Sequence, residues 1–268
     1  MDQKTTFLNM PTFSIITATY NRPELLERTI QSILSQTISD WELIIIDDST
    51  NNDTANFIKK YNQNAQIIYK KNSKNMGVLF TRDRGLDIAK GTWITFLDDD
   101  DYYVNKNSLR HVKKFLNEKF NWFTFDYINR NTVTLTKIKS NENIFNYIDD
   151  YLFGKKIRGD MPHFIRNKTI NNIRFSANPS HNTEWYFFYQ IANTGANFYH
   201  INYDLVYQEY LQEGLSKKSN YKQNRKTQKQ QFIQICKDGL IFRYGYIIIV
   251  RYFINFKLTN KIYNLLKK

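Results

Sequence analysis

Four consecutive aspartates, Asp98, Asp99, Asp100 and Asp101, follow directly on the apolar run 92–97. Asp98 and Asp100 are two apart, so extended backbone projects both to one side. Two carboxylates converging there make a hard-oxygen site for Mn2+ or Mg2+, its shell completed by substrate phosphates. A cation in that place would neutralise a diphosphate leaving group. The plainer alternative is a solvated acidic loop or helix start. Placement at the end of a hydrophobic strand argues against it, because four acids there repel one another unless something compensates. Two more apolar runs also end in polar residues: 13–18 leads into Thr19 and Tyr20, and 41–46 leads into Asp47, Asp48 and Ser49.

The elements that must position these groups alternate. Runs 13–18, 41–46, 66–69 and 92–97 read as strands. Between them, helices are expected over 24–36, where Leu25, Leu26, Ile30, Ile33 and Leu34 keep helical spacing, over 53–61, and over 77–90. Strands alternating with helices of this length predict an α/β fold with a mostly parallel, doubly wound sheet. Ligands in such sheets bind beyond the carboxyl ends of the strands, so the three polar strand ends share one crevice. The second half is less regular: strands are expected over 120–127, 132–138 and 161–166, and helices over 143–153 and 184–192, the last stopped by Gly195.

With 268 residues, 41% of them hydrophobic, the chain can bury one sizeable core. A lone Cys236 allows no internal disulfide, and residues 1–12 hold no apolar run of signal-peptide length, which together imply a cytoplasmic protein. The net charge of +13 is unevenly spread: residues 214–268 hold 13 Lys and Arg against one acid, Asp238, while the rest is nearly neutral. That distribution speaks against a nucleic-acid binder. A basic tail with interleaved apolar residues suits an anionic membrane surface, on the inner face of the cell membrane, or else packs on the protein itself. Arg243 and Arg251 bracket seven residues, too few for a membrane span.

The segments Phe13-Ser-Ile-Ile-Thr-Ala-Thr-Tyr-Asn-Arg22, Ser32-Ile-Leu-Ser-Gln-Thr37 and Glu42-Leu-Ile-Ile-Ile-Asp-Asp-Ser49 resemble the opening of the family 2 glycosyltransferases. Asn75-Met-Gly77, Thr81-Arg-Asp83, Ala89-Lys-Gly91 and the DxD-like Phe96-Leu-Asp-Asp-Asp-Asp101 continue the pattern in order. The resemblance implies a GT-A fold. Residues 1–213 would be the catalytic domain, with 13–103 holding the nucleotide sugar and 104–213 the acceptor, followed by a basic, mostly helical extension over 214–268. It also implies roles. Thr17, Tyr20 and Asp48 would lie around the nucleotide base, Arg82 near base and phosphates, Asp98 and Asp99 at ribose and sugar, and Asp100 on the metal.

Inverting transfer, the chemistry the resemblance implies, needs a single carboxylate to deprotonate the acceptor hydroxyl. The segment 183–195 resembles the family's Glu-Asp-Trp helix start, with Thr183 in place of its first acid and Glu184 in place of its catalytic aspartate. Asp126, Asp160 and Asp204 lack that context, and His181 reads as an ordinary loop residue. The family often sets an Arg and a His near the phosphates after its last strand; Tyr207-Gln-Glu-Tyr210 offers neither, which leaves phosphate charge to the metal, Arg82 and Lys217 or Lys218. The function expected is metal-dependent transfer of a hexose or N-acetylhexosamine from a nucleotide sugar, UDP-linked by preference, to a glycan or lipid-linked acceptor of a bacterial surface polysaccharide. The alternatives are a sugar nucleotidyltransferase, against which the absence of Gly in 17–22 argues, and a non-catalytic membrane- or polyanion-binding protein led by its tail.

Overall fold

Apolar residues at successive positions, buried on both faces, mark the interior strands of a parallel sheet, and the first half of the chain is built from them. The computed structural model describes residues 10–129, 131, 133–154, 156–177 and 184–209, together with 226, 229–231, 233, 234, 236–240 and 243. Strand β1 (Phe13–Thr19), helix α1 (Pro23–Leu34), β2 (Trp41–Asp47), α2 (Asp53–Ile58), β3 (Ile67–Lys71), α3 (Val78–Ile88) and β4 (Trp93–Phe96) alternate as the pattern predicts. A 3-10 turn, Lys59–Tyr61, completes the segment expected as one helix over 53–61. There follow β5 (Tyr102–Tyr103), α4 (Ser108–Phe115), β6 (Trp122–Ile128), β7 (Lys137–Ile138), β8 (Ile144–Phe145), β9 (Ile157–Arg158), β10 (His163–Arg166), α5 (Asn167–Ile170), α6 (Trp185–Asn193) and β11 (Phe198–Tyr207).

The main sheet runs β3-β2-β1-β4-β10-β6-β11-β5, with β8 also paired to β11. Strands β3, β2, β1 and β4 are parallel, and β6 is parallel to β11. Strand β10 lies between the two groups, antiparallel to both β4 and β6. Alternate residues of each strand feed two cores. Phe13, Ile15, Leu43 and Ile45 pack with Leu26, Ile30 and Ile33 of α1 on one face. Ile16, Ile44, Ile46 and Ile94 pack with α6 and the aromatic residues of the second half on the other. Each such fully buried aliphatic side chain contributes roughly 1.5–3 kcal/mol. Gly91 sits where a Cβ would stand 2.4 Å from the Ser14 amide nitrogen, so a larger residue would push β1 and β4 apart. Around it the buried Glu42 accepts from the Ser14 hydroxyl at 2.5 Å and the Lys90 amide at 2.6 Å. The Ala89-Lys-Gly91 signature is therefore a packing requirement.

Two expectations change in the second half and one at the acidic run. The segment 143–153 is not one helix: Ile144 and Phe145 pair with β11, and a π-helical turn, Tyr147–Phe153, follows. Asn146 separates them, its side chain accepting from the Ile148 and Asp149 amides as an N-cap. Within 132–138 only Lys137 and Ile138 form a strand, paired with β9 in a small separate ribbon, while Thr134 bridges Ile128. The acidic run is also not extended, since the Asp101 amide donates to the Asp98 carbonyl at 3.0 Å and closes a turn.

Part of the basic extension is described. Residues 226, 229–231, 233, 234, 236 and 237 are helical, and Gln230 and Gln234 are buried. Asp238, the extension's one acid, receives the Tyr189 hydroxyl of α6, and Gln234 donates to it at 3.0 Å. Leu240 packs on the core against α6, and Arg243 reaches Asp149 at 2.8 Å. Among the described residues no helix is long and apolar enough to cross a membrane.

Candidate active site

The carboxyl ends of β1, β2 and β4 converge, and the polar residues there divide into holders and an exposed lining. Asp47 is fully buried; it accepts from the Ser49 amide at 2.9 Å and the Tyr69 hydroxyl at 2.6 Å. Burial, with Asp47 beside it, raises the Tyr69 hydroxyl above its ordinary range. Asp48 takes three donors, the Asn72 side chain at 2.7 Å and the Met76 and Gly77 amides at 2.8 Å each. Gly77 needs its left-handed φ of 85° to present that amide and start α3. Both aspartates thus organise the loops after β2 and β3, and neither caps α2, whose N-cap Asn52 makes no side-chain cap bond. Tyr20 is 42% exposed beside them. Thr17 is fully enclosed on the α1 face of β1, its hydroxyl lacking a hydrogen-bond partner among the described residues.

The acidic turn is held from beneath by α1. The Thr29 hydroxyl donates to the Asp101 carbonyl at 2.7 Å, and Arg28 donates to the Asp100 carbonyl at 2.7 Å. Three of the four carboxylates are held by arginines. Asp98 is half-exposed and faces Arg82 at 2.5 Å. Asp99 is buried, accepting from the Thr19 hydroxyl at 2.8 Å and from Arg22. Asp100 meets the same Arg22 at 3.1 Å. Burial pushes the Asp99 carboxyl up to about 7, against the pull of Arg22 and Thr19, and the neighbouring Asp100 and Asp98 add to the rise. Asp100 is raised by burial and then by Asp98, with Arg22 opposing. Asp101 is raised well above the usual carboxylate range, by burial and by the charges of Asp98, Asp100, Asp99 and Asp160.

Arg82 joins this turn to the second half. It is buried against the packed rings of Phe96 and Phe175, 5.8 and 5.7 Å from their centres. One nitrogen of its guanidinium bonds Asp98 and the other bonds Glu184. Burial alone would lower its pKa; the charges of Glu184 and Asp98 outweigh that and hold it above the usual arginine range. Glu184 is half-exposed, at the N-cap position of α6, and makes no cap bond to that helix. Its carboxylate is turned toward Arg82 instead of serving the helix end. The next residue of α3, Asp83, accepts from the Phe175 and Ser176 amides at 2.7 and 2.8 Å, anchoring the segment that leads toward Glu184. Tyr127 and Tyr147 are both buried and both sense the charges of Glu184 and Asp160.

The structure therefore gathers Arg82, Asp98, Asp99, Asp100 and Glu184 around one crevice, with Tyr20 and Asp48 at its β1–β2 side and Thr17 beneath it. Arg22 and Asp83 were not singled out from the sequence. An arginine held before a proline, opposite four acids that require cations, was the available signal for Arg22. Expectations at His181, Thr183, Tyr210, Lys217 and Lys218 fall outside the described residues.

The turn fits a divalent cation only in part by itself. Asp98 lies close enough to Asp100 to raise its carboxyl, and Asp98, Asp99 and Asp100 share the guanidinium groups of Arg82 and Arg22. Among the described residues no three acidic, His or Cys side chains form a ready cage. One or two carboxylates completed by substrate phosphates is the manner in which Mg2+ and Mn2+ are held in phosphate-handling sites.

The sheet order, the acidic turn after β4 and the facing carboxylate at the start of α6 define a GT-A nucleotide-sugar transferase architecture. The model of glycosyl transferase family 2 matches residues 14–169, more than half of the chain, and the protein belongs to that family. It is 29% identical over 230 residues to the uncharacterized glycosyltransferase MJ1057 of Methanocaldococcus jannaschii, covering 83% of this chain and 77% of that one. It is 36% identical over 138 residues to the Escherichia coli UDP-Glc:alpha-D-GlcNAc-diphosphoundecaprenol beta-1,3-glucosyltransferase WfaP, covering 52% of this chain and 55% of that protein. The fold matches the crystal structure of S. aureus TarS 1-349 in complex with UDP-GlcNAc, at TM-score 0.63 and 19% identity over 84% of this chain and 66% of that one. Family membership decides between the enzyme readings: the protein is a glycosyltransferase.

Proposed function

We propose that the protein is an inverting, divalent-cation-dependent transferase that moves a hexose or N-acetylhexosamine from a UDP-sugar to a glycan or lipid-linked acceptor in surface-glycan synthesis. The observation that carries this reading is the Arg82 bridge, which sets a donor-side carboxylate, Asp98, and an acceptor-side carboxylate, Glu184, on one buried guanidinium. The pairing fixes the direction of the Glu184 carboxylate, as a base requires. The acceptor hydroxyl gives its proton to Glu184 while its oxygen bonds the anomeric carbon; the bond from that carbon to the diphosphate breaks on the opposite face, which inverts the centre. A cation held by Asp100 and the donor's phosphates would supply positive charge to the departing diphosphate. Tyr20, which is exposed, would receive the base, and Arg82 would meet the phosphates. The WfaP relative is named for a UDP-glucose donor and a diphosphoundecaprenol acceptor, and the TarS structure holds UDP-GlcNAc; both favour a UDP-sugar here.

A lipid-linked acceptor agrees with the extension. Pinned through Asp238, its helix leaves Lys226, Lys229, Lys237 and Ile233 exposed, a basic face with an apolar residue suited to an anionic membrane surface. The working place of the enzyme is then the inner face of the cell membrane, held there peripherally.

Calorimetric titration with UDP, GDP and dTDP, each with and without Mn2+, tests the donor site. UDP is expected to bind in a Mn2+-dependent manner that Asp100→Ala abolishes; binding of no nucleotide under either condition overturns the reading. Glu184→Gln is expected to keep UDP binding while turnover falls on the order of 10²–10⁴-fold. Turnover within a few-fold of the parent would remove Glu184 as base.

A further inference from the structure

Arg22 precedes α1, with φ −137° and ψ 55°, between Asn21 in the left-handed region (φ 53°) and Pro23 at the first turn of the helix. Proline bars the helical conformation to the residue before it, and asparagine tolerates the left-handed one. The Asn21 amide is tied to the Ser49 hydroxyl at 2.8 Å, which fixes the turn to the end of β2. Three local constraints therefore aim Arg22 back across the acidic turn, where one guanidinium spans Asp99 and Asp100. The two grips differ. Asp99 is wholly buried and is also held by the Thr19 hydroxyl, whereas Asp100 is 16% exposed and its bond from Arg22 is 3.1 Å long. Arg22 itself is 36% exposed, so its hold on Asp100 is the kind of partly solvated pair that costs little to exchange.

We propose that Arg22 is a built-in counter-ion: it holds Asp100 while the site carries no divalent cation, and yields that carboxylate to the cation while remaining on Asp99. This rests on the assignment of Asp100 as metal ligand. A single guanidinium placed this way lets the acidic turn fold without metal, and it makes any metal compete for its ligand. Affinity for the bare ion is kept low, so that binding is completed only when donor phosphates arrive with it. Arg22 is thus a positioning residue, acting through Asp100.

Titration of Mn2+ alone, followed by the electron paramagnetic resonance of the free ion, tests this on the full chain without any turnover. Arg22→Gln is expected to bind Mn2+ on the order of tenfold more tightly than the parent, because one competing charge is gone. It should also unfold at a lower temperature in chelator, with Mn2+ restoring more than it adds to the parent. Arg22→Lys, which keeps the charge on a shorter donor, is expected to fall between the two and covers the case in which the glutamine variant does not fold. Unchanged or weaker Mn2+ binding in the variants, with parent binding abolished by Asp100→Ala, overturns the counter-ion role alone. Equal binding by the parent and Asp100→Ala overturns the metal assignment beneath it.

Discussion

The halves on either side of the acidic turn are held together by different forces. In residues 13–103 the decisive polar groups are buried carboxylates answered by backbone amides: Glu42 by Lys90, Asp47 by Ser49, Asp48 by Met76 and Gly77. Such bonds fix the loops through their backbone. Beyond residue 104 the same work is done by ring packing. Trp122 stacks near Tyr147 and Phe188, and Phe175 lies face to face with Phe187 at 3.9 Å. On the proposed function, the first half would hold the constant part of the donor, its nucleotide, and the second the acceptor.

Three measurements sharpen or break that contrast. The largest effect is expected from Trp122→Ala, which removes a fully buried indole at the centre of the ring packing and should cost about 3–5 kcal/mol in urea unfolding. Mn2+-dependent UDP binding by the molecules still folded should persist; loss of nucleotide affinity in step with stability would show the halves to be one unit. Next comes pH. His163 accepts from the Trp122 indole at 2.9 Å and stacks on Phe188 at 4.1 Å, and burial, with His200 nearby, pushes it down to about 3. Between its ordinary value near 6.5 and that value, the unfolded chain takes a proton that the folded one refuses. Stability is therefore full above pH 6.5 and falls as the pH drops, by up to about 1.4 kcal/mol per unit from this group. The difference in unfolding free energy between the parent and His163→Phe, followed from pH 7 to 5, isolates this slope from that of the carboxylates; a pH-independent difference would refute it. The smallest effect is expected from Tyr189→Phe. Removing the hydroxyl that meets Asp238 should cost about 0.5–1.5 kcal/mol and speed proteolysis within the extension, leaving UDP affinity unchanged.

The same contrast explains what could be read in the sequence. From β1 to β4 each strand and helix lies within a residue or two of its expected limits, except that α2 gives way to a 3-10 turn three residues early, because a parallel strand covered on both faces shows as an unbroken apolar run and its loops carry Gly77 and Gly91. In the second half, Asn146 turns an expected helix into a strand and a π-turn, and neither α4 nor the full ten residues of β11 was apparent. Their stability comes from partners far away in the chain, such as Tyr199 opposite Phe123. The site follows suit. Asp98, Asp100, Arg82 and Glu184 were legible one by one. That Arg82 pairs across about a hundred residues with Glu184, or that Arg22 neutralises two of the four acids, belongs to the fold and has no local signature.

Helix α3 presents Arg82 to the crevice and, one residue later, Asp83 to the backbone of residues 175 and 176. On the proposed roles, the reach from leaving group to base is set through this helix, whose Arg82 bonds both Asp98 and Glu184. That arrangement works as a gauge block: one buried guanidinium on one helix holds the two carboxylates of the proposed mechanism at a fixed separation.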